Sequence, residues 1–137
     1  MPKKVLVVDD DMAMVRVLET HLAQAGYEVT TACDGIEAME QIGKARPDFM
    51  LLDIAMPRMN GYQVLRKMQS DPRYKDIAVI ILTAKAEAAD MDRGWQAGVA
   101  AYITKPINVD NFVTMLKRME QFMDDGIGPA ESMPGND

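Results

Sequence analysis

The sequence predicts an α/β protein built around one parallel sheet. Short apolar runs alternate along the chain with segments whose apolar residues recur at helical spacing. Most of these runs are nearly continuous, which is typical of strands that a parallel sheet buries on both faces. Five β-α units can be counted, and their crossovers are expected to be right-handed.

The bulk composition fits one domain of ordinary size. The chain has 137 residues, of which 48% are hydrophobic and 26% are charged. This composition can fill a core. From Asp124 onward the chain is acidic, has no Lys or Arg, and contains several Gly and Pro residues. We therefore expect a folded domain over residues 1–123 and a flexible tail, or the start of a linker, over residues 124–137.

Charge and apolar patterning exclude several classes of partner. The net charge is −6 and no Lys/Arg cluster occurs, so we expect no nucleic-acid binding by this domain. No apolar run is long enough to span a bilayer, and the N-terminal residues lack the apolar region of a signal peptide. The lone Cys33 cannot form an internal disulfide. Together these features predict a cytoplasmic protein without a membrane partner.

Five apolar runs predict the strands. The second run is more polar than the others and is expected nearer an edge of the sheet. In chain order the runs are Val5–Val8, Glu28–Ala32, Phe49–Leu52, Ala78–Leu82 and Ala101–Ile103.

Five segments between and after these runs predict helices. Val15, Leu18, Leu22 and Ala25 mark the first, which Gly26 ends. For the second, Asp34 and Glu37 resemble a capping box ahead of an apolar face with Ile36 and Met39. The other three are marked by Val64, Leu65 and Met68 after Asn60-Gly61; by Met91 and Trp95 ahead of Gly98; and by Phe112, Met115, Leu116 and Met119 after a capping Asn108.

Chemically active side chains follow four of the strands. The first strand leads into Asp9, Asp10 and Asp11, and the others lead into Asp53, Thr83 and Lys105. In open parallel sheets, ligands bind beyond the carboxyl ends of the strands, so we expect these side chains to meet. Carboxylates from two strands suit Mg²⁺, and Asp53 could then act as a nucleophile on phosphorus. Because the chain has no glycine-rich phosphate loop, a bound nucleotide is not expected.

Four segments in order resemble the receiver domain of two-component response regulators: VLVVDDD, LLDIAMPRMNGYQVL, VIILTAKA and AGVAAYITKPI. The resemblance covers about Lys3 to Met123. It implies a flavodoxin-like, doubly wound, five-stranded parallel sheet in the order 2-1-3-4-5, with helices on both faces.

The resemblance also implies roles for individual residues. Asp53 would be the phospho-acceptor. Asp10 would bind Mg²⁺ directly, Asp9 would do so through water, and the backbone carbonyl of Ala55 would be a further ligand. Asp11 stands where the family varies.

The residues on the fourth and fifth strands would respond to the phosphoryl group. Lys105 would pair with it and Thr83 would hydrogen-bond to it. Tyr102 would be the aromatic switch that turns inward as Thr83 moves. A cis peptide bond is common in the family at the position of Lys105-Pro106.

The function implied is a phosphorylation-controlled switch that catalyses only its own phosphorylation and dephosphorylation. A sensor histidine kinase or a phosphotransfer protein would supply the phosphoryl group. A downstream protein would dock on the face formed by the fourth helix, the fifth strand and the fifth helix. The protein would be a monomer or a phosphorylation-dependent dimer, and either a single-domain regulator or the receiver part of a longer one.

Two alternatives are less well supported by the residues. Asp9-x-Asp11 matches the start of the motif of haloacid-dehalogenase-like phosphatases, but Ala13 stands where that motif has a hydroxyl. A receiver-like interaction module that is never phosphorylated is the other alternative. The complete set of Asp9, Asp10, Asp53, Thr83 and Lys105 argues against it.

Overall fold

The computed structural model describes residues 3–56, 59–84 and 99–124. For residues 123 and 124 it describes the backbone only. Within these ranges it has five strands and four helices. The strands are β1 (Lys4–Val8), β2 (Glu28–Ala32), β3 (Phe49–Asp53), β4 (Ala78–Thr83) and β5 (Ala101–Thr104). The helices are α1 (Met12–Gln24), α2 (Gly35–Lys44), α3 (Gly61–Gln69) and a C-terminal helix (Val109–Asp124).

The five strands form one parallel sheet in the order β2-β1-β3-β4-β5, which confirms the predicted fold class. The more polar β2 lies at an edge, as expected, and β3 lies at the centre between β1 and β4. Each strand bears out its apolar run to within one residue at either end. Asp53 and Thr83 are the last residues of their strands rather than the first residues after them.

One hydrophobic core cluster joins the sheet to α2 and α3. Alternate residues of the three central strands belong to it, because successive side chains of a strand point to opposite faces. The strand residues are Leu6, Val8, Met50, Leu52, Val79 and Ile81, and the helices contribute Ala38, Ile42, Val64, Leu65 and Met68. Helix α1 buries the predicted Val15, Leu18 and Leu22.

The start of α2 confirms the predicted cap Asp34 but not the whole predicted capping box. Asp34 caps the helix, since its Oδ1 accepts a hydrogen bond from the backbone N–H of Glu37 at 2.8 Å. The Glu37 carboxylate, however, accepts from the N–H and the thiol of Cys33, at 3.3 and 2.9 Å, so the reciprocal half of the predicted capping box is directed elsewhere. Ile36 is 39% exposed, because the buried face instead follows Gly35, Ala38 and Ile42.

Helix α3 has a complete capping box that the sequence analysis did not identify. The side chain of Asn60 accepts from the N–H of Gln63 at 3.0 Å, and the side chain of Gln63 accepts from the N–H of Asn60 at 2.9 Å. The signal was the Asn-x-x-Gln spacing, since a capping box needs a short polar residue and an amide or acid three residues later.

Among the described residues, 107–124 belong to a separate compact unit. In its helix, Asn108 Oδ1 accepts the N–H of Asn111 at 3.0 Å, which confirms the predicted cap. The predicted apolar positions Phe112, Leu116 and Met119 are buried. The predicted helix around Met91 and Trp95, together with the acidic tail beyond Asp124, lies outside the described residues. No helix in the described part is long and apolar enough to cross a membrane.

Gly26 ends α1 as predicted, in a left-handed conformation with φ of 98°. Gly26→Ala is expected to lower the free energy of unfolding by about 1 kcal/mol, because an L side chain strains this backbone even though nothing lies within 4 Å of the added carbon. Gly43→Ala is the matched control: the new methyl would meet only the Tyr74 hydroxyl, at 3.8 Å, and alanine favours the helix. Urea unfolding measures both variants. Equal changes in the two would contradict the prediction.

Candidate functional site

Three acidic side chains meet at the carboxyl edge of the sheet. Asp9 follows β1, and Asp53 ends β3, which pairs with β1. Asp9 is fully buried and Asp53 is 3% exposed, whereas Asp10 faces solvent. One carboxylate oxygen from each of the three lies within 4.8 Å of the others. These residues could therefore each give one ligand to a single metal ion.

The two buried carboxylates are held in the same way. Asp9 Oδ1 accepts the N–H of Asp11 at 2.9 Å, and Asp53 Oδ1 accepts the N–H of Ala55 at 3.2 Å. Each carboxylate is thus oriented by the backbone two residues later, which leaves its second oxygen directed elsewhere.

Lys105 lies between the second oxygens. Its Nζ is 3.3 Å from Asp9 Oδ2 and 3.5 Å from Asp53 Oδ2. The backbone fixes its position, because the N–H of Lys105 donates to the carbonyl of Thr83 at 2.7 Å. One ammonium therefore serves as counter-ion to two buried carboxylates.

This arrangement shifts the pKa values of the partners. Burial, with the charge of Asp9 adding to it, raises the pKa of Asp53 from 3.8 to about 6, and Lys105 opposes the shift. Burial alone would lower the pKa of Lys105, but Asp53 and Asp9 outweigh it and raise the pKa. Near neutral pH Lys105 is charged and Asp53 is mostly ionised.

Asp9 Oδ2 shows that the centre can accept more positive charge. This oxygen is buried, and although Lys105 is close enough for an ion pair, the geometry is not that of a hydrogen bond. Lys105 therefore attracts this oxygen electrostatically, and the hydrogen-bonding capacity of the oxygen is unused. Hard carboxylate oxygens in this setting suit Mg²⁺, so the residues present fit the ion that the sequence predicts.

The remaining predicted residues take separate places. Asp11 is exposed, and its side chain caps α1 by accepting from the N–H of Met14 at 3.3 Å. Thr83 is half-buried at the end of β4, while Tyr102 is half-buried on β5 and packs against the core cluster. Ala55 is exposed. The peptide bond between Lys105 and Pro106 is cis, as the resemblance implied.

Gly61 is a neighbour of the site that the sequence analysis used only as the start of a helix. Its N–H donates to the carbonyl of Ile54 at 2.9 Å, so α3 begins directly against the segment that follows Asp53. Asn60-Gly61 marked only the point at which a helix follows, because a close approach between two backbones is visible only in the folded chain.

The fold and the site define the class of protein: a doubly wound α/β domain with an acidic centre and a lysine at the carboxyl edge of its parallel sheet. Residues 5–117 match the family described as the response regulator receiver domain. The chain belongs to this family and is a receiver domain of two-component signalling.

Similar proteins agree with this assignment. The chain is 42% identical over 108 residues to the response regulator PleD of Caulobacter vibrioides, and 41% identical over 106 residues to the probable transcriptional regulator ycf27 of Cyanophora paradoxa. These matches cover 79% and 77% of this chain but only 24% of PleD and 43% of ycf27. The chain thus spans less than half the length of either relative.

Solved structures match over nearly their whole length. Two structures of the chemotaxis response regulator CheY4 of Vibrio cholerae have TM-scores of 0.81 and 0.80 at 32% identity, each covering 86% of this chain and 98% of CheY4. The phosphorylated cyanobacterial phytochrome response regulator RcpA has a TM-score of 0.75 at 33% identity, with 89% and 94% coverage. The Mn²⁺-bound form of Rcp1 has a TM-score of 0.74 at 28% identity, with the same coverage.

Proposed function

We propose that Asp53 accepts a phosphoryl group from the phosphohistidine of a sensor histidine kinase or a phosphotransfer protein, in a reaction that needs Mg²⁺. The observation that carries the proposal is the geometry of Asp53, a buried carboxylate beside Lys105 and within ligand distance of two further acids. Phosphorylated RcpA and Mn²⁺-bound Rcp1 are structural neighbours, which supports both halves of the proposal.

In the transfer step a carboxylate oxygen of Asp53 attacks the phosphorus. A P–O bond forms as the P–N bond of the phosphohistidine breaks, and the electron pair of that bond goes to the imidazole nitrogen. The product is a mixed anhydride of Asp53 with phosphate. The N–H of Ala55 orients the nucleophile through Oδ1. Because the pKa of Asp53 is about 6, the attacking anion is the main form at neutral pH.

Asp9, Asp10 and Asp53 would hold Mg²⁺, with the backbone carbonyl of Ala55 as a further ligand. When bound, the ion supplies positive charge for the phosphoryl oxygens and offsets the repulsion between the carboxylates. Lys105 supplies a second positive charge from the protein itself, and its raised pKa keeps it protonated.

The response to phosphorylation would pass from Thr83 to Tyr102. Thr83 ends β4, and Ile81, two residues before it in the same strand, pairs in register with Tyr102 on β5. In the proposed switch, Thr83 hydrogen-bonds to the phosphoryl group and Tyr102 turns inward. A downstream protein would read the change on a face that contains β5.

The test is intact-mass spectrometry after incubation with acetyl phosphate, with and without Mg²⁺, on wild type and Asp53→Asn. We expect one phosphoryl adduct that requires Mg²⁺, maps to Asp53 and is absent from the variant. An adduct on Asp9 would instead support a haloacid-dehalogenase-like reaction. If neither acetyl phosphate nor a panel of phosphorylated histidine kinases modified the wild type, the domain would be an unphosphorylated interaction module.

A further inference from the structure

Gly61 leaves no room for a side chain beside the proposed phospho-acceptor. A Cβ atom added there would lie 2.7 Å from the backbone oxygen of Asp53 and 2.9 Å from the Cα of Ile54. Separations under 3.0 Å essentially do not occur for real Cβ atoms, so the backbone on one side would have to move. The first residue of α3 is therefore in contact with the main chain of Asp53 itself.

This contact lies next to the groups that orient the carboxylate. Gly61 donates its N–H to Ile54, Ile54 donates to the carbonyl of Leu82 at 3.1 Å, and Ala55 donates to Asp53 Oδ1 at 3.2 Å. The capping box of Asn60 and Gln63 fixes the start of α3 on the other side of the contact. A displacement of α3 at Gly61 would therefore move the backbone of Ile54 and Asp53, and with it the Asp53 carboxylate.

Other glycines lack this relation to the site. An added carbon at Gly35 would collide with Met59 and Val64, which are six or more residues after Asp53 in the chain. An added carbon at Gly43 would meet only a flexible hydroxyl at ordinary distance. The close approach to Asp53 is specific to Gly61 among the glycines in the described part of the chain.

We propose that Gly61 is a positioning residue for phosphoryl transfer: its missing side chain lets α3 hold the Asp53–Ala55 backbone where the carboxylate and the metal ligands are correctly placed. The inference deepens the proposed function and rests on it for its kinetic consequences. The structural consequence of the inference is the position of Asp53, which can be measured whether or not the proposed function holds.

The experiment compares Gly61→Ala with Leu22→Ala in the full chain. Leu22 is a fully buried residue near the end of α1, and the variant provides a destabilised control that adds no atoms near Asp53. Isothermal titration calorimetry with MgCl₂ gives the metal affinity, and intact-mass spectrometry with acetyl phosphate gives the rate. Both are measured at a temperature at which circular dichroism shows each variant to be folded.

We expect both variants to lower the Tm, but only Gly61→Ala to weaken Mg²⁺ binding and slow phosphorylation, each by about tenfold or more. A crystal structure of metal-free Gly61→Ala should show the Asp53 carbonyl displaced by several tenths of an ångström. If Gly61→Ala does not fold, Asn60→Ala replaces it. This variant loosens the start of α3 without adding atoms, and we expect a smaller loss of affinity that still exceeds the loss in Leu22→Ala.

A folded Gly61→Ala protein with wild-type Mg²⁺ affinity and rate, or with losses matched by Leu22→Ala, would overturn the inference. If the wild type itself neither bound Mg²⁺ nor took up the phosphoryl group, the proposed function would fail. The crystal structure would then decide the inference alone, since an undisplaced Asp53 contradicts positioning and a displaced one supports it.

Discussion

Asp53→Asn is expected to stabilise the metal-free domain by about 3 kcal/mol well above pH 6. The reason is that burial and the charge of Asp9 raise the pKa of Asp53 from 3.8 to about 6. Because the pKa in the folded state is above the unfolded value, the protonated carboxyl contributes stability below about pH 4. This contribution is lost as the pH rises through about 6. Asparagine resembles the neutral acid at every pH and avoids the loss.

The measurement is urea unfolding of wild type and Asp53→Asn in a chelating buffer between pH 4 and pH 8. The difference should be smallest at pH 4 and should reach its full size near pH 8. Asp71→Asn is the control with opposite sign. Hydrogen bonds from Arg73 lower the pKa of Asp71, so its contribution is present at neutral pH and lost on acidification. A stability difference for Asp53→Asn that did not change with pH would mean that the pKa is not raised.

Lys105→Met is expected to destabilise the metal-free domain by about 2–3 kcal/mol. Removing the ammonium leaves the Asp9 and Asp53 carboxylates buried side by side. Asp9 Oδ2 has no hydrogen bond even in the wild type. We place the effect at or below the lower end of the range for broken buried pairs, because the Lys105 side chain is 29% exposed. The pKa of Asp53 should also rise further, since Lys105 opposes the shift in the wild type.

Mg²⁺ should restore much of the stability that Lys105→Met loses, because the ion brings positive charge to the same carboxylates. The measurement is the Tm of wild type and variant in chelator and in saturating Mg²⁺, and the rise on adding Mg²⁺ should be larger in the variant. Lys75→Met, at an exposed lysine between α3 and β4, is the matched control and should change neither value. Equal losses in the two variants would show that Lys105 is not the counter-ion.

Both expectations describe a site that lowers the stability of the domain that carries it. Two carboxylates are buried at the carboxyl edge of the sheet beside one partly exposed ammonium, and the charge is not balanced without a further cation. An apolar or neutral replacement at Asp53 relieves this conflict, but it also removes the proposed nucleophile. The opposition between stability and function is expected wherever charges are buried for chemistry.

Much of the fold could be predicted from local pattern. The five apolar runs gave the strands to within one residue at either end, because a central parallel strand must be apolar on both faces. The helix ends at Gly26 and Asn108 were also predicted, because a glycine after a helix and an asparagine before one are strong local signals. At the start of α2 the cap Asp34 was predicted, but the partner of Glu37 was not, because a Glu37 side chain can accept from Cys33 as easily as from Asp34 and only the folded geometry selects between them.

The sequence by itself determined which residues arrive at the carboxyl edge of the sheet. Asp9, Asp53, Thr83 and Lys105 follow or end parallel strands, and strand direction alone brings them to one side. Only the tertiary structure decided that Lys105 lies between the two buried carboxylates, that Asp11 caps α1 apart from the acidic centre, and that Gly61 touches the backbone of Asp53. The physical reason is that strand ends are set by local pattern, whereas distances between side chains depend on how separate segments pack.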